Sequence, residues 1–311
     1  MPNSYVYGPV PSRRLGRSLG IDLVPFKVCS YDCVYCQLGH TTTLTIERKE
    51  YVPIDDVLKD LDAAMLKKRR VDCITLAGSG EPTLNSGLDR LIPEIKKRYS
   101  LPIAAITNGS LLWQEKLREE LMEVDYVLPS LDAGDSAMFE LINRPHKEID
   151  YDTMVSGLVQ FSKEYKGKYW LEIMLVKNIN ADEQSLKKLA EQVQIIQPTQ
   201  VQLNTAYRPP CEKYVQPMTN EDLQKAAAYF SCPVELVRAE NAPQSSDDTE
   251  IANDNDIVTM VGRRPCTIDD ISAGLEMNRL EVVKCVERLI RKNAIVEMRL
   301  EGRVYFSKST G

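Results

Sequence analysis

Hydrophobic and polar positions follow two rhythms along most of the chain. Short continuous apolar runs, "SLGIDLV" (18–24), "CITLAG" (73–78), "PIAAITN" (102–108), "YVLPSLD" (126–132), "YWLEIMLV" (169–176) and "TQVQLN" (199–204), read as buried strands. Between them the period lengthens to that of a helix. In 53–70, Ile54, Val57, Leu58, Leu61, Ala64 and Met65 share one face. Pro53 suits the first helical position, Asp55 and Asp56 the first turn, and the basic run 67–70 the last, as the helix dipole prefers. Further helices are predicted over 88–99, 114–122, 151–165, 182–194 and 219–230. Strands alternating with helices predict an α/β fold with a parallel sheet or barrel. In such folds, function gathers at the strand C-termini.

The rhythm stops at "ENAPQSSDDTEIANDND" (240–256), which carries six acidic residues and no Lys or Arg. This predicts a solvated linker. Beyond it, Thr267 with Asp270 and Asn278 with Glu281 make two capping-box starts. They open helices over 267–275, with Ile268, Ile271 and Leu275 inward, and over 278–292. "IVEMRL" and "RVYFSK" then alternate like a hairpin around Glu301-Gly302. Helix, turn, helix and hairpin predict a small C-terminal winged-helix domain over 257–311, behind a barrel domain over 1–239. No internal repeat of solenoid period is present.

Composition narrows the class. With 311 residues, 43% hydrophobic and 27% charged, the chain reads as globular with a sizeable core. No apolar run reaches membrane-spanning length, and MPNSYVYGPVPSRR has no signal-peptide apolar region, so a cytoplasmic protein is expected. Its eight cysteines are then not expected to form disulfides. A net charge of −6 argues against a uniformly basic nucleic-acid binder but leaves local patches open. From Val261 to Gly311 the balance is net +3, and the second helix there shows Arg279, Lys284, Arg288, Arg291 and Lys292. That face could read phosphates, dock a protein or simply be solvated.

The candidate chemistry is concentrated in "CSYDCVYCQLG" (29–39). Cys29, Cys33 and Cys36 stand as C-x₃-C-x₂-C, with Tyr35 before the last. The three can share one centre only if the loop wraps around it. A structural zinc site wants four ligands, and His40 is the one nearby candidate for the fourth. Soft thiolates suit iron–sulfur clusters equally, and three cysteines on a 4Fe–4S cluster leave one iron open to a small molecule.

That spacing, with an aromatic before the third cysteine, resembles the motif of the radical S-adenosylmethionine (radical SAM) enzymes. The resemblance implies a partial (β/α)6 TIM-type barrel. It implies a 4Fe–4S cluster on Cys29, Cys33 and Cys36 whose open iron binds the methionine part of S-adenosylmethionine. One electron, from a donor such as flavodoxin or ferredoxin, then yields a 5′-deoxyadenosyl radical that abstracts hydrogen from substrate. Further motifs follow in order. "AGSGEPTL" (77–84) resembles the family's GGE stretch and assigns Ser79, Gly80 and Glu81 to the methionine amino group. "TNGS" (107–110) and "PSLDA" (129–133) assign Asn108, Ser130 and Asp132 to the ribose and carboxylate, with a helix cap as the other reading of Asp132. Asn204 in "QLNTAYRPP" faces the same rim, and Tyr35 joins the cofactor set by its place in the cluster motif.

Within the superfamily, "GPVPSRRLGRSLG", "CSYDCVYCQLG", "SLDAGD…INRPH" and "LEIMLVKNIN" resemble a group related to the wyosine-tRNA synthetases (tRNA 4-demethylwyosine synthase). These join pyruvate carbons to a methylguanine in tRNA, which implies a large substrate, tRNA first. Their second cluster uses cysteines ahead of the main motif. No cysteine precedes Cys29, so that reaction is not carried over. Lys177 in "LVKN", Cys211 in "RPPCEK" and His146 in "NRPHK", beside Arg144 and Lys147, are catalytic candidates without a defined role. Cys73 and Cys285 read as core thiols, and Cys232 and Cys266 lack C-x₂-C partners. Arg13, Arg14 and Arg17 offer either a fork for a carboxylate or phosphate, or salt bridges closing the barrel bottom. Two other functions compete. One is radical modification of a peptide or protein docked by the winged helix. The other is an iron–sulfur DNA-binding regulator, which would need neither "GSGEP" nor a whole barrel.

Overall fold

The computed structural model describes residues 4–237 and 254–309, apart from 13, 68, 276 and 301. Arg13 and the acidic stretch 240–253 therefore lie outside the described residues. In chain order the first part runs β1 (Val6–Ser12), β2 (Gly16–Ile21), β3 (Val28–Cys29), β4 (Thr43–Leu44), α1 (Ile54–Met65), β5 (Cys73–Leu76), α2 (Leu88–Arg98), β6 (Ile103–Thr107) and α3 (Glu115–Leu121). It continues with β7 (Tyr126–Pro129), α4 (Ser136–Ile142), α5 (Tyr151–Glu164), β8 (Lys168–Leu175), α6 (Glu183–Ile196), β9 (Gln200–Thr205), α7 (Asn220–Ala227) and β10 (Val234–Leu236).

Eight strands form one sheet in the order β1-β2-β5-β6-β7-β8-β9-β10. From β2 to β10 every pairing is parallel, and only β1 runs antiparallel, against β2. The six strands read from the sequence are β2 and β5 to β9, in that order. The fold is the expected α/β partial barrel. β1 escaped the reading because "GPVPS" is rich in Pro and Gly, which a strand tolerates only at an edge. β10 is three residues long.

The helices cover the sheet with the faces their periodicity marks. In α1, Ile54, Val57, Leu58 and Leu61 are buried. The helix ends at Met65, short of the basic run 67–70, because beyond it no apolar residue returns to the buried face. Inside the barrel, a separate small cluster of Leu15, Cys73, Ala104 and Leu128, flanked by Ile106, Tyr126 and Trp170, fills the end where the strands begin. Arg14 crosses this region to an ion pair with Glu172 on β8 and a 2.9 Å hydrogen bond to Gln202 on β9. Its side chain is 13% exposed, and that of Glu172 14%. Arg14 is thus a closing brace of the barrel, not a fork held out to substrate. Arg17 is buried, and its backbone N–H donates to Asp72 at 2.8 Å.

The C-terminal part comprises α8 (Asp254–Arg263), α9 (Ile268–Leu275), α10 (Arg279–Arg291) and an antiparallel pair, β11 (Ile295–Leu300) and β12 (Arg303–Lys308). The expected reciprocal cap is present: Thr267 N–H donates to Asp270 Oδ2 and Asp270 N–H to Thr267 Oγ1, both at 3.0 Å. Asn278 caps α10, but Glu281 bonds Lys284 rather than closing a capping box. Its core includes Ile257, Met260, Cys266, Ile271, Val282, Cys285, Leu289 and Phe306. The boundary needs one correction. Residues 254–256, read as linker, open α8, because acidic side chains favour a first helical turn and Asp254 there pairs with Arg288. Among the described residues no helix is long and apolar enough to cross a membrane.

Candidate active site

The loop that begins at Cys29 is tied to four segments that leave the strand C-termini. Glu81 N–H, after β5, donates to the Val28 carbonyl at 3.1 Å. Asn108 Nδ2, after β6, donates to Ser30 Oγ at 2.8 Å. Val34 N–H reaches the Ile142 carbonyl of α4 at 3.0 Å, and Cys211 N–H, after β9, donates to the Cys36 carbonyl at 3.0 Å. A Cβ at Gly80 would overlap the Val28 carbonyl oxygen, so only glycine lets the two loops lie this close.

Each of the three sulfurs faces its own donor. Asn108 Nδ2 lies 3.7 Å from Cys29 Sγ, Asn143 Nδ2 3.5 Å from Cys33 Sγ, and Lys27 Nζ 3.2 Å from Cys36 Sγ. All three cysteines are free and half-buried. Burial first, and then the Glu81 carboxylate, lift the Cys29 thiol to about 12; burial and the Asp132 carboxylate hold Cys33 well above the ordinary thiol range. Iron would have to displace those protons, as any thiolate ligation must. Among the described residues no three Cys, His, Asp or Glu side chains close on a single-ion cage. His40, the candidate fourth zinc ligand, is 59% exposed, its ring on Asp32 at 3.2 Å.

The residues around the loop divide into braces and free rim. Both Glu81 oxygens are spent: Oε1 accepts from Thr83 N–H, Thr83 Oγ1 and Thr107 Oγ1, and Oε2 from Asn108 N–H at 2.7 Å. Burial raises its carboxyl above the usual range. Ser79 gives its N–H and hydroxyl to Asp22, at 3.0 and 2.5 Å. Asp132 is 1% exposed. It accepts from Tyr35 OH, Asn143 Nδ2 and Met174 N–H, and burial still lifts it to about 6. It is not a helix cap, since Asp135 caps α4. Its carboxylate, the Tyr35 hydroxyl, Glu81 and Asn108 hold the loops in place. Ser130, bridged through its backbone to Glu172, and Asn204 at the end of β9 are half-buried on the open rim.

The three catalytic candidates fare differently. Cys211 comes to the site: its thiol donates to the carbonyls of Cys33 and Val34, at 3.2 and 3.1 Å. Lys177 does not. It is exposed and lines an outer groove with Asp182, Met218 and Tyr229. The His146 ring accepts from Glu148 N–H within its own turn, and its backbone N–H supports the Ser30 carbonyl at 2.9 Å. Sequence reasoning missed Lys27 and Asn143. Lys27 adjoins the motif in "PFKVC", and Asn143 opens the "NRPHK" stretch whose charged members drew attention instead. The remaining buried side-chain polar atom without a partner, among the described residues, is the Tyr31 hydroxyl, in the same loop.

A wrapped three-cysteine loop on the C-terminal rim of a partial α/β barrel defines a class, and the chain matches the radical SAM superfamily over residues 23–190. It belongs to that superfamily and is a radical SAM enzyme, whose family binds a 4Fe–4S cluster and S-adenosylmethionine. It also belongs to the UPF0026 family: it is 33% identical over 308 residues to a UPF0026 protein of Methanocaldococcus jannaschii, covering 97% of this chain and 95% of the relative. It is 39% identical over 299 residues to a Brachyspira hyodysenteriae protein called GTPase Obg, covering 96% of this chain. The match spans only 44% of that longer relative. A radical SAM methyltransferase from Sphaerobacter thermophilus shares the fold, with a TM-score of 0.55 and 16% identity over 72% of this chain and 69% of its own.

Proposed function

We propose that Cys29, Cys33 and Cys36 hold a single 4Fe–4S cluster, and that the rim beside it takes S-adenosylmethionine and a large substrate. The observation that carries this reading is the pairing of each sulfur with one donor, from Asn108, Asn143 and Lys27. Such donors stabilise thiolate charge and tune a cluster's potential. A single donor beside a thiol does not mark a ligand, since Arg288 lies 3.2 Å from the core thiol of Cys285; what sets Cys29, Cys33 and Cys36 apart is three such pairs gathered in one loop. When bound, such a cluster would supply the electron for reductive cleavage of S-adenosylmethionine ahead of hydrogen abstraction from the substrate. The chain's part is to bind and orient. The stretch 79–81, held against the cluster loop by Gly80 and by the bonds of its Ser79 and Glu81 N–H groups to Asp22 and Val28, is placed to meet the methionine end. Asn108, Asp132, Tyr35, Ser79 and Glu81 set its position, and Ser130 and Asn204 supply rim contacts. Cys211 lies beside the loop, its thiol on the carbonyls of Cys33 and Val34.

The motif resemblance makes a tRNA nucleoside the first substrate class, in a cytoplasmic enzyme served by a flavodoxin or ferredoxin. The C-terminal part, read as a winged helix, is the docking module. A second reading, a peptide or protein substrate, is favoured by the charges of α10. Arg279 pairs with Asp269 at 2.8 Å, Lys284 with Glu281 at 2.9 Å and Arg288 with Asp254 at 2.5 Å. That face presents a mixed field to phosphates. The DNA-regulator reading loses the same support.

The test is anaerobic reconstitution with iron and sulfide, then dithionite and S-adenosylmethionine, with 5′-deoxyadenosine assayed with and without total RNA. Product from the wild type and none from Cys33→Ala is expected. Stimulation by RNA supports the tRNA class, and product without stimulation moves the substrate to a peptide or protein. No product from protein carrying four irons removes the enzyme assignment of this site.

A further inference from the structure

The C-terminal part bridges the two flanks of an open sheet. On one flank Val10 of β1 packs against its core. On the other, the segment after β9 is tied to it: Tyr305 OH donates to the Tyr207 carbonyl at 2.6 Å, and Arg208 Nε to the Pro265 carbonyl at 3.0 Å. The same segment continues to Cys211 and Glu212, whose N–H groups bond Cys36 and Val34 of the cluster loop. One side chain goes deeper. Arg263, the last residue of α8, is only 9% exposed. Its guanidinium pairs with Asp22 Oδ2, donates to the Ser4 carbonyl at 3.2 Å and lies 4.2 Å from the centre of the Tyr7 ring.

Two of the three partners of Arg263, Asp22 and Tyr7, grip the "AGSGE" stretch. Asp22 accepts the N–H and hydroxyl of Ser79, and a Cβ at Gly78 would press on Asp22 Oδ1 at 2.5 Å. Tyr7 OH donates to the Ala77 carbonyl at 3.1 Å. Asp22 is 4% exposed, so without Arg263 it would be a buried carboxylate with no cation. Such a group draws in water, takes up a proton or swings away, and any of these releases Ser79. We propose that Arg263 is a positioning residue for S-adenosylmethionine: through Asp22 and Tyr7 it fixes the Ala77–Glu81 backbone, which makes the C-terminal part a component of the cofactor site. This rests on the reading of 79–81 as the methionine-binding stretch.

The experiment uses the full-length reconstituted protein and the variants Arg263→Met, Arg263→Lys, Asp22→Asn and Tyr305→Phe. Iron content and the visible spectrum report the cluster. The change in the reduced cluster's electron paramagnetic resonance signal on titration with S-adenosylmethionine reports affinity, and initial rates separate KM from kcat. For Arg263→Met the expected result is full iron content with affinity at least tenfold weaker, seen mainly in KM. Arg263→Lys recovers part of it. Asp22→Asn weakens affinity similarly, and the double variant with Arg263→Met is no weaker than either single one, as members of one pair require. Tyr305→Phe, which cuts the tie to Tyr207 and leaves the Arg263–Asp22 pair in place, stays within twofold of the wild type. Wild-type affinity in Arg263→Met overturns the proposal, as does an equal loss in Tyr305→Phe. If Arg263→Met fails to fold, Asp22→Asn decides alone, and an unchanged affinity there overturns it. A wild type that holds four irons yet binds no S-adenosylmethionine defeats the underlying functional reading, and this inference falls with it.

Discussion

The two ends of the barrel are built by the same strands and do opposite work. Where the strands begin, Leu15, Cys73, Ala104 and Leu128 close the lumen by packing, and Arg14 spans it to Glu172 and Gln202. Where they end, loops replace side-chain packing. Polar groups are spent on fixing one another: Glu81 on Thr83, Thr107 and Asn108, and Asp132 on Tyr35, Asn143 and Met174. One end is filled mainly by apolar packing, with the Arg14 pair as its polar exception. The other needs particular atoms in particular places. At this rim the buried carboxylates of Glu81 and Asp132 serve as scaffold, bonding the loops to one another.

Substitutions at the two ends should therefore separate stability from chemistry. The largest effect is expected from Cys29→Ala, Cys33→Ala or Cys36→Ala. Each should abolish cluster retention and 5′-deoxyadenosine formation, while the far-ultraviolet circular dichroism of the chain stays native. Gly80→Ala comes next. Its methyl group would overlap the Val28 carbonyl, so the cluster loop must move. A loss of about 5 kcal/mol in denaturant unfolding is expected, at the exceptional end for one substitution, together with defective iron retention. Native stability with normal iron content would show that the two loops are not locked together.

At the closed end, Arg14→Met leaves Glu172 buried without its cation, which costs about 4 kcal/mol. The folded fraction should still carry iron and cleave S-adenosylmethionine normally. A specific loss of cleavage would mean that the lumen floor takes part in the chemistry.

Asp132 gives the comparison a pH axis. Burial lifts it to about 6, above the value near 3.9 of an unfolded carboxylate. Between those values the folded chain keeps a proton that the unfolded chain releases. The stabilisation is therefore full below about pH 4 and is lost as the pH rises through about 6. Two pH units correspond to about 3 kcal/mol. Denaturant unfolding of the iron-free protein should show Asp132→Asn gaining up to that amount relative to the wild type between pH 4 and pH 7. A gap that does not move with pH would mean that Asp132 is ionised throughout.

Much of the closed end was legible in sequence, and much of the open end was not. Strands buried on both faces announce themselves as apolar runs, and α1 as a periodic stripe, because burial selects residue type. The cysteine spacing was legible for a related reason: three thiols within one loop have few uses. The braces were not. Asp22 and Arg263 are 241 positions apart, and neither sits in a pattern that marks the other. The motifs mark Glu81 and Asp132 as needed at their places, but the bonds by which their carboxylates brace the loops are visible only in the fold. Lys177 and His146 were singled out by chemical type alone, and the fold turns one outward and engages the other locally.

The smallest expected effect concerns Cys73, which shares its chemistry with Cys29. Burial raises both thiols, Cys73 to about 11 and Cys29 to about 12, so titration cannot tell the two roles apart. Geometry can. Cys29 shares a loop with two further thiols and has Asn108 beside its sulfur. Cys73 stands among Leu15, Ala104 and Leu128 at the closed end, its sulfur near Thr75. Cys73→Ala removes one buried heavy atom, and about 1 kcal/mol of stability should go with it. Iron content and 5′-deoxyadenosine yield per folded molecule should be those of the wild type. Iron lost from Cys73→Ala in proportion to Cys29→Ala would mean that the lumen floor and the rim are one cooperative unit, and the division between packing and chemistry would have to be redrawn higher in the barrel.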